Sequence, residues 1–245
     1  DDEGRRVGRT HRVTGVQTTY GYSVLDQLLS LEEGDEPWDY VYDARELRVL
    51  VGQEVAGSSV YLESFAYDTN GLLRHTFGGS NPTGYVTGRT FGEVLASTGG
   101  TLFLQDRLLS TVVEADTDLR YLVRDGYGRT GAGGDSGFGY TGHLEDADLV
   151  WGRSRFLDPN SGAWLSEDPV ILEPRYTYAR GAPVTFVDPT GRGVLIEYKI
   201  KIGSDWVVKR TTVYHVANEI RCTERVGGIV VRVIRNTGNR PPIPF

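Results

Sequence analysis

Three short segments place two aromatic rings two residues apart and then turn. They are Tyr20-Gly21-Tyr22, Tyr40-Val41-Tyr42 and Phe65-Ala66-Tyr67, and each leads into a turn-rich stretch that ends at a leucine. A spacing of two puts both rings on one face of a β-strand, because side chains alternate across a pleated chain. Asp, Asn and Gly then reverse the chain, and the leucine opens a return strand. Thr90-Phe91-Gly92-Glu93-Val94-Leu95 reads as a degenerate fourth unit. The anchors Tyr22, Tyr42, Tyr67 and Phe91 are 20, 25 and 24 residues apart. One hairpin is unstable alone in water, whereas stacked hairpins share a sheet and bury their aromatic row. The four anchors are therefore expected on one face.

The rest of the chain agrees with strands. Its 245 residues include 32 glycines and 14 tyrosines, which suits short strands and tight turns. The hydrophobic share of 39% permits a sizeable core. No long segment has the 3.6-residue apolar rhythm of a helix. Val24–Leu31 comes nearest, but it is short and follows a strand-like lead-in. The expected fold is all-β and antiparallel, with one large domain or two smaller ones.

Charge divides the chain. Residues 193–245 hold nine Lys/Arg against four Asp/Glu, a net of +5, so the remainder carries −12 of the total −7. This points to a basic tail on an acidic body. The tail alternates as strands do, in Val194–Ile202, Trp206–Tyr214 and Gly228–Ile234, with His215, Glu219, Arg221 and Cys222 between them. Cys222 is the sole cysteine, so no internal disulfide and no Cys-rich zinc site can form. His11, His75, His143 and His215 lack metal-ligand spacing. No cofactor is called for. The chain opens at Asp1 and contains no Met, so it is expected to be a piece of something longer. No apolar run is long enough to span a membrane as a helix.

Two familiar motifs fail on context. Gly134-Asp135-Ser136-Gly137 spells a serine-protease signature but lies among eight glycines between Gly126 and Gly142, a run suited to a turn-rich loop. Gly126-x-Gly128-x-x-Gly131 has the dinucleotide-binding spacing, but the glycine-rich run after it cannot open the helix such a site needs.

The repeats and the stretch after them resemble the Rhs/YD-repeat family. Tyr121 to Gly128 looks like that family's last strand before its core. Phe138-Gly139-Tyr140-Thr141-Gly142 with Glu145 and Asp146 looks like its next element. The segment from Leu149 through Arg153, Arg155, Asp158-Pro159, Gly162 and Trp164 to Asp168-Pro169 is similar to the family's core signature. Tyr176-x-Tyr178 with Pro183, Asp188-Pro189 and Gly191 completes it. The resemblance covers about residues 15–191 and is most specific over 138–191.

The resemblance implies a strip of β-sheet that spirals into a hollow shell, a core segment closing one end, and a variable C-terminal domain that is often a toxin. It divides the chain into a YD-repeat region (1–137), a core-associated segment (138–192) and a variable tail (193–245). Its implied partners are the rest of the same polypeptide's shell and an immunity protein or secretion-system component. Nucleic acid is implied only if the basic tail is a toxin. The implied setting is a secreted or cell-surface bacterial protein. In such families two aspartates act as an autoprotease cutting just after the second element; here these would be Asp168 and Asp188, sharing a proton, with the junction at Gly191 and Arg192 and a new N-terminus at Arg192 or Gly193. Three departures stand out: Ile171 replaces a glycine, Arg192 replaces a leucine, and the spacer 172–187 is short. The expectation is a retained site with weak or absent activity, and Asp-Pro pairs also simply start turns. Asp158-Pro159 is read as such a turn. Arg153 and Arg155, two apart, would share a strand face and either support the carboxylates or form ordinary surface salt bridges. Fifty-three residues make a small core for an enzyme, so the tail reads as a β-rich stub, with a small toxin acting on nucleic acid or protein as the alternative.

Overall fold

The computed structural model describes residues 1–34, 36–55, 58–69, 71–78, 81–88, 92–130, 137–146, 148–168, 175–202, 205–216, 219–226 and 229–236, and from 193 onward the backbone alone. The first sheet has twelve antiparallel strands, each paired only with its neighbours in sequence. They are β1 (Gly8–Thr10), β2 (Gln17–Tyr22), β3 (Leu28–Glu33), β4 (Glu36–Tyr42), β5 (Arg48–Val55), β6 (Ser58–Tyr67), β7 (Leu73–Gly78), β8 (Asn81–Thr87), β9 (Val94–Ser97), β10 (Leu102–Gln105), β11 (Thr111–Ala115) and β12 (Leu119–Tyr121). The segment Val24–Leu31 is a turn followed by the start of β3, as its lead-in suggested.

One turn geometry recurs along this strip. The N–H of Ser23, Asp43, Asp68, Ser97, Asp106 and Asp125 donates to the carbonyl four residues on, and the N–H three residues on donates back. The third residue after each is left-handed: Asp26, Glu46, Gly71, Gly100, Leu109 and Gly128 have φ between 61° and 93°. This is a type I turn followed by a left-handed residue and a bulge, which suits the right-handed twist of paired strands. The bulge precedes Tyr22, Tyr42, Tyr67, Thr87 and Gln105 alike. The aspartates also satisfy the turn's amides. Asp43 Oδ1 accepts from Arg45 N and Leu47 N at 2.8 and 2.9 Å, and Asp106 Oδ1 from Leu108 N and Ser110 N at 2.8 and 2.9 Å.

The aromatic row lies on one face. Register pairs Tyr20 with Leu31, Tyr40 with Val51, and Phe65 with Thr76, and all six are buried. Tyr22, Tyr42 and Tyr67 follow on the same face, and each hydroxyl donates to a carbonyl lying earlier in the chain: Arg6, Leu28 and Arg48, at 2.8, 2.8 and 2.7 Å. Phe91, the fourth expected anchor, lies outside the described residues. Tyr85-Val86-Thr87 also carries the repeat's phase: the bulge before Thr87 gives this threonine the phase of the earlier tyrosines, and Tyr85 packs edge-on to Phe138 with centroids 4.9 Å apart.

The described residues between 138 and 191 form a cap across this inner face. Its small sheet comprises β13 (Leu144–Asp146), β14 (Leu149–Trp151), β15 (Phe156–Asp158) and β16 (Ala163–Trp164), with short 3-10 turns at Tyr140–Gly142 and Tyr178–Gly181. Both faces of the cap are buried. Leu149, Trp151, Phe156 and Leu165 join the core of the strip, while Val150, Leu157, Trp164 and Tyr178 form a second cluster. That accounts for the near-continuous apolar runs in β14 and β15.

Charge pairs, each with at least one buried partner, tie cap to strip, the strip supplying arginine and the cap the acid. Arg48 is fully buried; its NH1 donates to Asp146, and its guanidinium lies 4.8, 4.9, 5.6 and 5.9 Å from the ring centroids of Trp151, Phe65, Tyr40 and Phe156. Arg124 grips Glu145 with two bonds of 3.1 and 2.9 Å. Arg6 and Arg9 reach Asp158 at 2.7 and 3.4 Å. Asp158 does start a turn, accepting from Asn160 N at 2.9 Å, but it is also the buried anchor of the first strand.

A third sheet follows: β17 (Gly193–Ile202), β18 (Asp205–Val216), β19 (Glu219–Val226) and β20 (Ile229–Asn236). Glu219, Arg221 and Cys222 do not link strands; they form a strand of their own, paired with both β18 and β20. Among the described residues no helix is long and apolar enough to cross a membrane.

Candidate functional site

The cap ends in a knot built around Arg155. Residues 152–155 turn tightly into β15, with Arg153 left-handed at φ 68°. Arg153 and Arg155 therefore do not share a strand face. The Arg153 guanidinium approaches Gly71 of the strip, where an added Cβ would lie 2.1 Å from its NH2. Arg155 points inward and is 4% exposed, so it is no surface salt bridge.

Every donor nitrogen of Arg155 is engaged. NH2 meets Asp168 Oδ2 at 2.7 Å and Asp188 Oδ2 at 3.4 Å. NH1 donates to the Arg175 carbonyl at 3.2 Å, and Nε donates to the Gly191 carbonyl. The indole of Trp164 lies beneath, its centroid 4.4 Å from the guanidinium carbon. The two carboxylate oxygens that meet on one nitrogen are no farther apart than those two bonds laid end to end. The structure thus brings Asp168, Asp188, Arg155 and Gly191 together, with a cation between the carboxylates. Burial pulls the Arg155 pKa below its ordinary value, and the two carboxylates oppose that pull. An arginine stays charged under such a shift.

Backbone fixes the junction as firmly. Gly191 is left-handed at φ 67°, and a Cβ there would lie 2.7 Å from the Gly152 carbonyl, so no larger residue fits without moving main chain. Ser154 donates to the Thr190 carbonyl through both its amide, at 3.3 Å, and its hydroxyl. Asp188 Oδ1 accepts from Thr190 N at 3.3 Å, which is the turn chemistry expected of an Asp-Pro pair. Arg192 leaves the knot and pairs with Glu46 of the strip. Pro169 and Ile171, like Asp135 and Ser136 of the serine-protease signature, lie outside the described residues, as do the side chains of His215, Glu219, Arg221 and Cys222.

Three neighbours escaped sequence reasoning. Ser154 lies between the two arginines and ties them to the Thr190 carbonyl. Tyr178 is buried beside Asp188, with its hydroxyl 3.3 Å from Thr141 Oγ, and burial raises its pKa. His143 is buried with Nδ1 2.9 Å from the same hydroxyl; burial lowers its pKa to about 4, against the pull of backbone groups at Pro189 and Tyr140. Only position within the core signature could have flagged them, since neither spacing nor charge marks them.

No family model matches this chain, and no curated protein does. Solved structures do overlay on it. One is described as the crystal structure of TcdB2-TccC3, with 15% identity and a TM-score of 0.37, covering 78% of this chain and 17% of that one. Another is the Tc holotoxin pore of Photorhabdus luminescens with a substituted TccC3, at 15% identity and a TM-score of 0.36, covering 71% of this chain and 15% of that one. This chain spans less than one-fifth of the length of either.

Proposed function

We propose that this chain is a length of encapsulating β-scaffold: a strip that continues a shell, a cap that closes it, and a C-terminal segment presented beyond the junction. The observation that carries this reading is the twelve-strand sheet paired strictly in sequence order, with its aromatic face covered by the cap. Such a strip can be lengthened by further hairpins without changing its contacts, as a wall requires. Its partners on this reading are further strands of the same shell, in a secreted or cell-surface setting. Limited proteolysis of the whole chain tests it: one resistant body spanning strip and cap is expected, and early cuts between β12 and the cap would refute it.

We further infer that the Arg155 knot is a relic or weak aspartic self-cleavage site acting at the junction beside Gly191 and Arg192. The support is the meeting of Asp168 and Asp188 beside the Gly191 carbonyl. Intact mass after long incubation tests this. A slowly formed new N-terminus at Arg192 or Gly193, lost in both Asp168→Asn and Asp188→Asn, is expected; cleavage that survives both changes removes these carboxylates from the chemistry. The basic charge of the tail favours a second reading, a small toxin acting on nucleic acid, which predicts that expressing residues 193–245 arrests growth unless an immunity protein is present.

A further inference from the structure

We infer that one face of the C-terminal sheet is a platform for single-stranded nucleic acid, with Tyr214, Arg221 and Arg235 at its centre. This rests on the reading of the tail as acting on nucleic acid, and it assigns the contact to one face of one sheet. Register sorts the tail's charges. Directly paired residues of antiparallel strands share a face, and successive residues of a strand alternate between faces. Lys199, Lys201, Arg210, Arg221, Arg225 and Arg235 fall on one face with Glu197 and Glu219, a net of +4. Lys209 and Arg232 fall on the other with Asp205 and Glu224, a net of zero. The neutral face also takes Val194, Ile196, Ile200, Val207, Val213 and Ile234. Such segregation is what an antiparallel sheet with one packed and one wet face requires.

Two features of the basic face point to a phosphate chain rather than to a solubilising surface. The first is a row across all four strands: Gly193 pairs with Tyr214, Tyr214 with Arg221, and Arg221 with Arg235. Arg221 and Arg235 are thus direct partners, and like charges set directly opposite destabilise a sheet. An anion lying across the pair removes that cost. The second is the placing of aromatic residues among the cations. Tyr214 neighbours Arg221 in the row, and Trp206 is the partner of Lys201 on the same face. A base can stack on an aromatic ring while its phosphate meets a cation, and this tolerates any sequence because every base has a π-face. A single strand offers both groups at once. A duplex keeps its base faces stacked inside, and an acidic polypeptide offers charge without a base to stack.

The experiment measures binding of a fluorescent oligodeoxythymidylate of about 16 nucleotides to the whole chain, by anisotropy over a range of salt. Two double variants remove the same charge from opposite faces: Arg221→Gln with Arg235→Gln, and Lys209→Gln with Arg232→Gln. The first is expected to weaken binding about 10-fold or more and to reduce the salt slope by about 1.4, the loss of two phosphate contacts to a single strand. The second is expected to stay within about twofold of wild type. Equal loss in the two variants overturns this inference and leaves standing the reading that rests on the tail's overall charge. Tighter binding of a duplex, or equally tight binding of polyglutamate, also overturns it. A wild type that binds neither single strand nor duplex overturns both readings. A measurement that needs no variant to fold is photocrosslinking of the wild-type chain to the same oligonucleotide carrying iododeoxyuridine. Adducts on Tyr214 or Trp206 are expected. Adducts only on Tyr198, which falls on the neutral face, or only on residues before 193, overturn the inference.

Discussion

The strip and the cap solve the same problem, burying an apolar face, by opposite means. The strip repeats one device: an inward tyrosine bonded to an earlier carbonyl, a bulge, and a turn closed by a left-handed residue. No single unit is special. The cap repeats nothing. It is held by individual pairs with at least one buried partner, Arg48 with Asp146, Arg124 with Glu145, and Arg6 and Arg9 with Asp158. A periodic region spreads its stability over equivalent small terms, whereas a docked region concentrates it in a few large ones. The comparison makes quantitative demands.

The largest effect belongs to the cap. Asp146→Ala leaves the Arg48 cation buried without its carboxylate and is expected to lower stability by about 3–5 kcal/mol in urea unfolding. The double change Arg48→Met with Asp146→Leu removes both charges and is expected to recover most of that loss. A single change below about 1 kcal/mol would break the contrast with the strip, because that is the size of an ordinary surface pair.

Next comes His143. Its folded pKa of about 4 lies below the ordinary 6.5, so the unfolded chain takes up the proton first as pH falls. Its contribution is therefore whole above about pH 6.5 and is lost toward pH 4, by roughly 3 kcal/mol across that window. Unfolding measured at pH 7, 5.5 and 4.5 should show this slope in wild type and a clearly shallower one in His143→Gln. Equal slopes would remove the histidine from the acid response.

The strip should respond in small, equal steps. Tyr22→Phe, Tyr42→Phe and Tyr67→Phe each delete one hydroxyl-to-carbonyl bond in the same setting, and each is expected to cost about 1 kcal/mol. Values differing by more than twofold would show that the units are not equivalent. Smallest of all is Leu109→Gly. Leucine is left-handed there at φ 68°, where Gly stands in the corresponding turns at 71, 100 and 128. Relief of that conformation outweighs the added chain entropy by about 0.5 kcal/mol, so a slight rise in melting temperature is expected.

The contrast also explains what could be read in advance. The phase of Tyr22, Tyr42 and Tyr67 was legible because strand alternation is local and written in consecutive residues. The turns at Ser97, Asp106 and Asp125 were harder to see, because the position before each is held by Ala96, Gln105 and Arg124, and a search keyed on aromatics passes over them. The meeting of Asp168, Asp188 and Gly191 could be anticipated only through the core signature. That Arg155 binds both carboxylates while Arg153 turns away to the strip was not legible, since it depends on a left-handed turn at Arg153 that spacing does not encode. The Arg48–Asp146 pair joins residues 98 apart, and nothing nearby announces it.

Strict neighbour-to-neighbour pairing also sets an order of assembly. Every strand of the strip finds its partner in the hairpin just completed, so the sheet can grow strand by strand while later residues are still being synthesised. The long-range closures come last: Asp146 must wait for nothing but the finished strip, and Asp158 bonds an arginine 152 residues earlier, beside the first strand. The cap thus fastens onto strands made well before it, and the residues beyond Arg192 emerge only after those of that clasp are present.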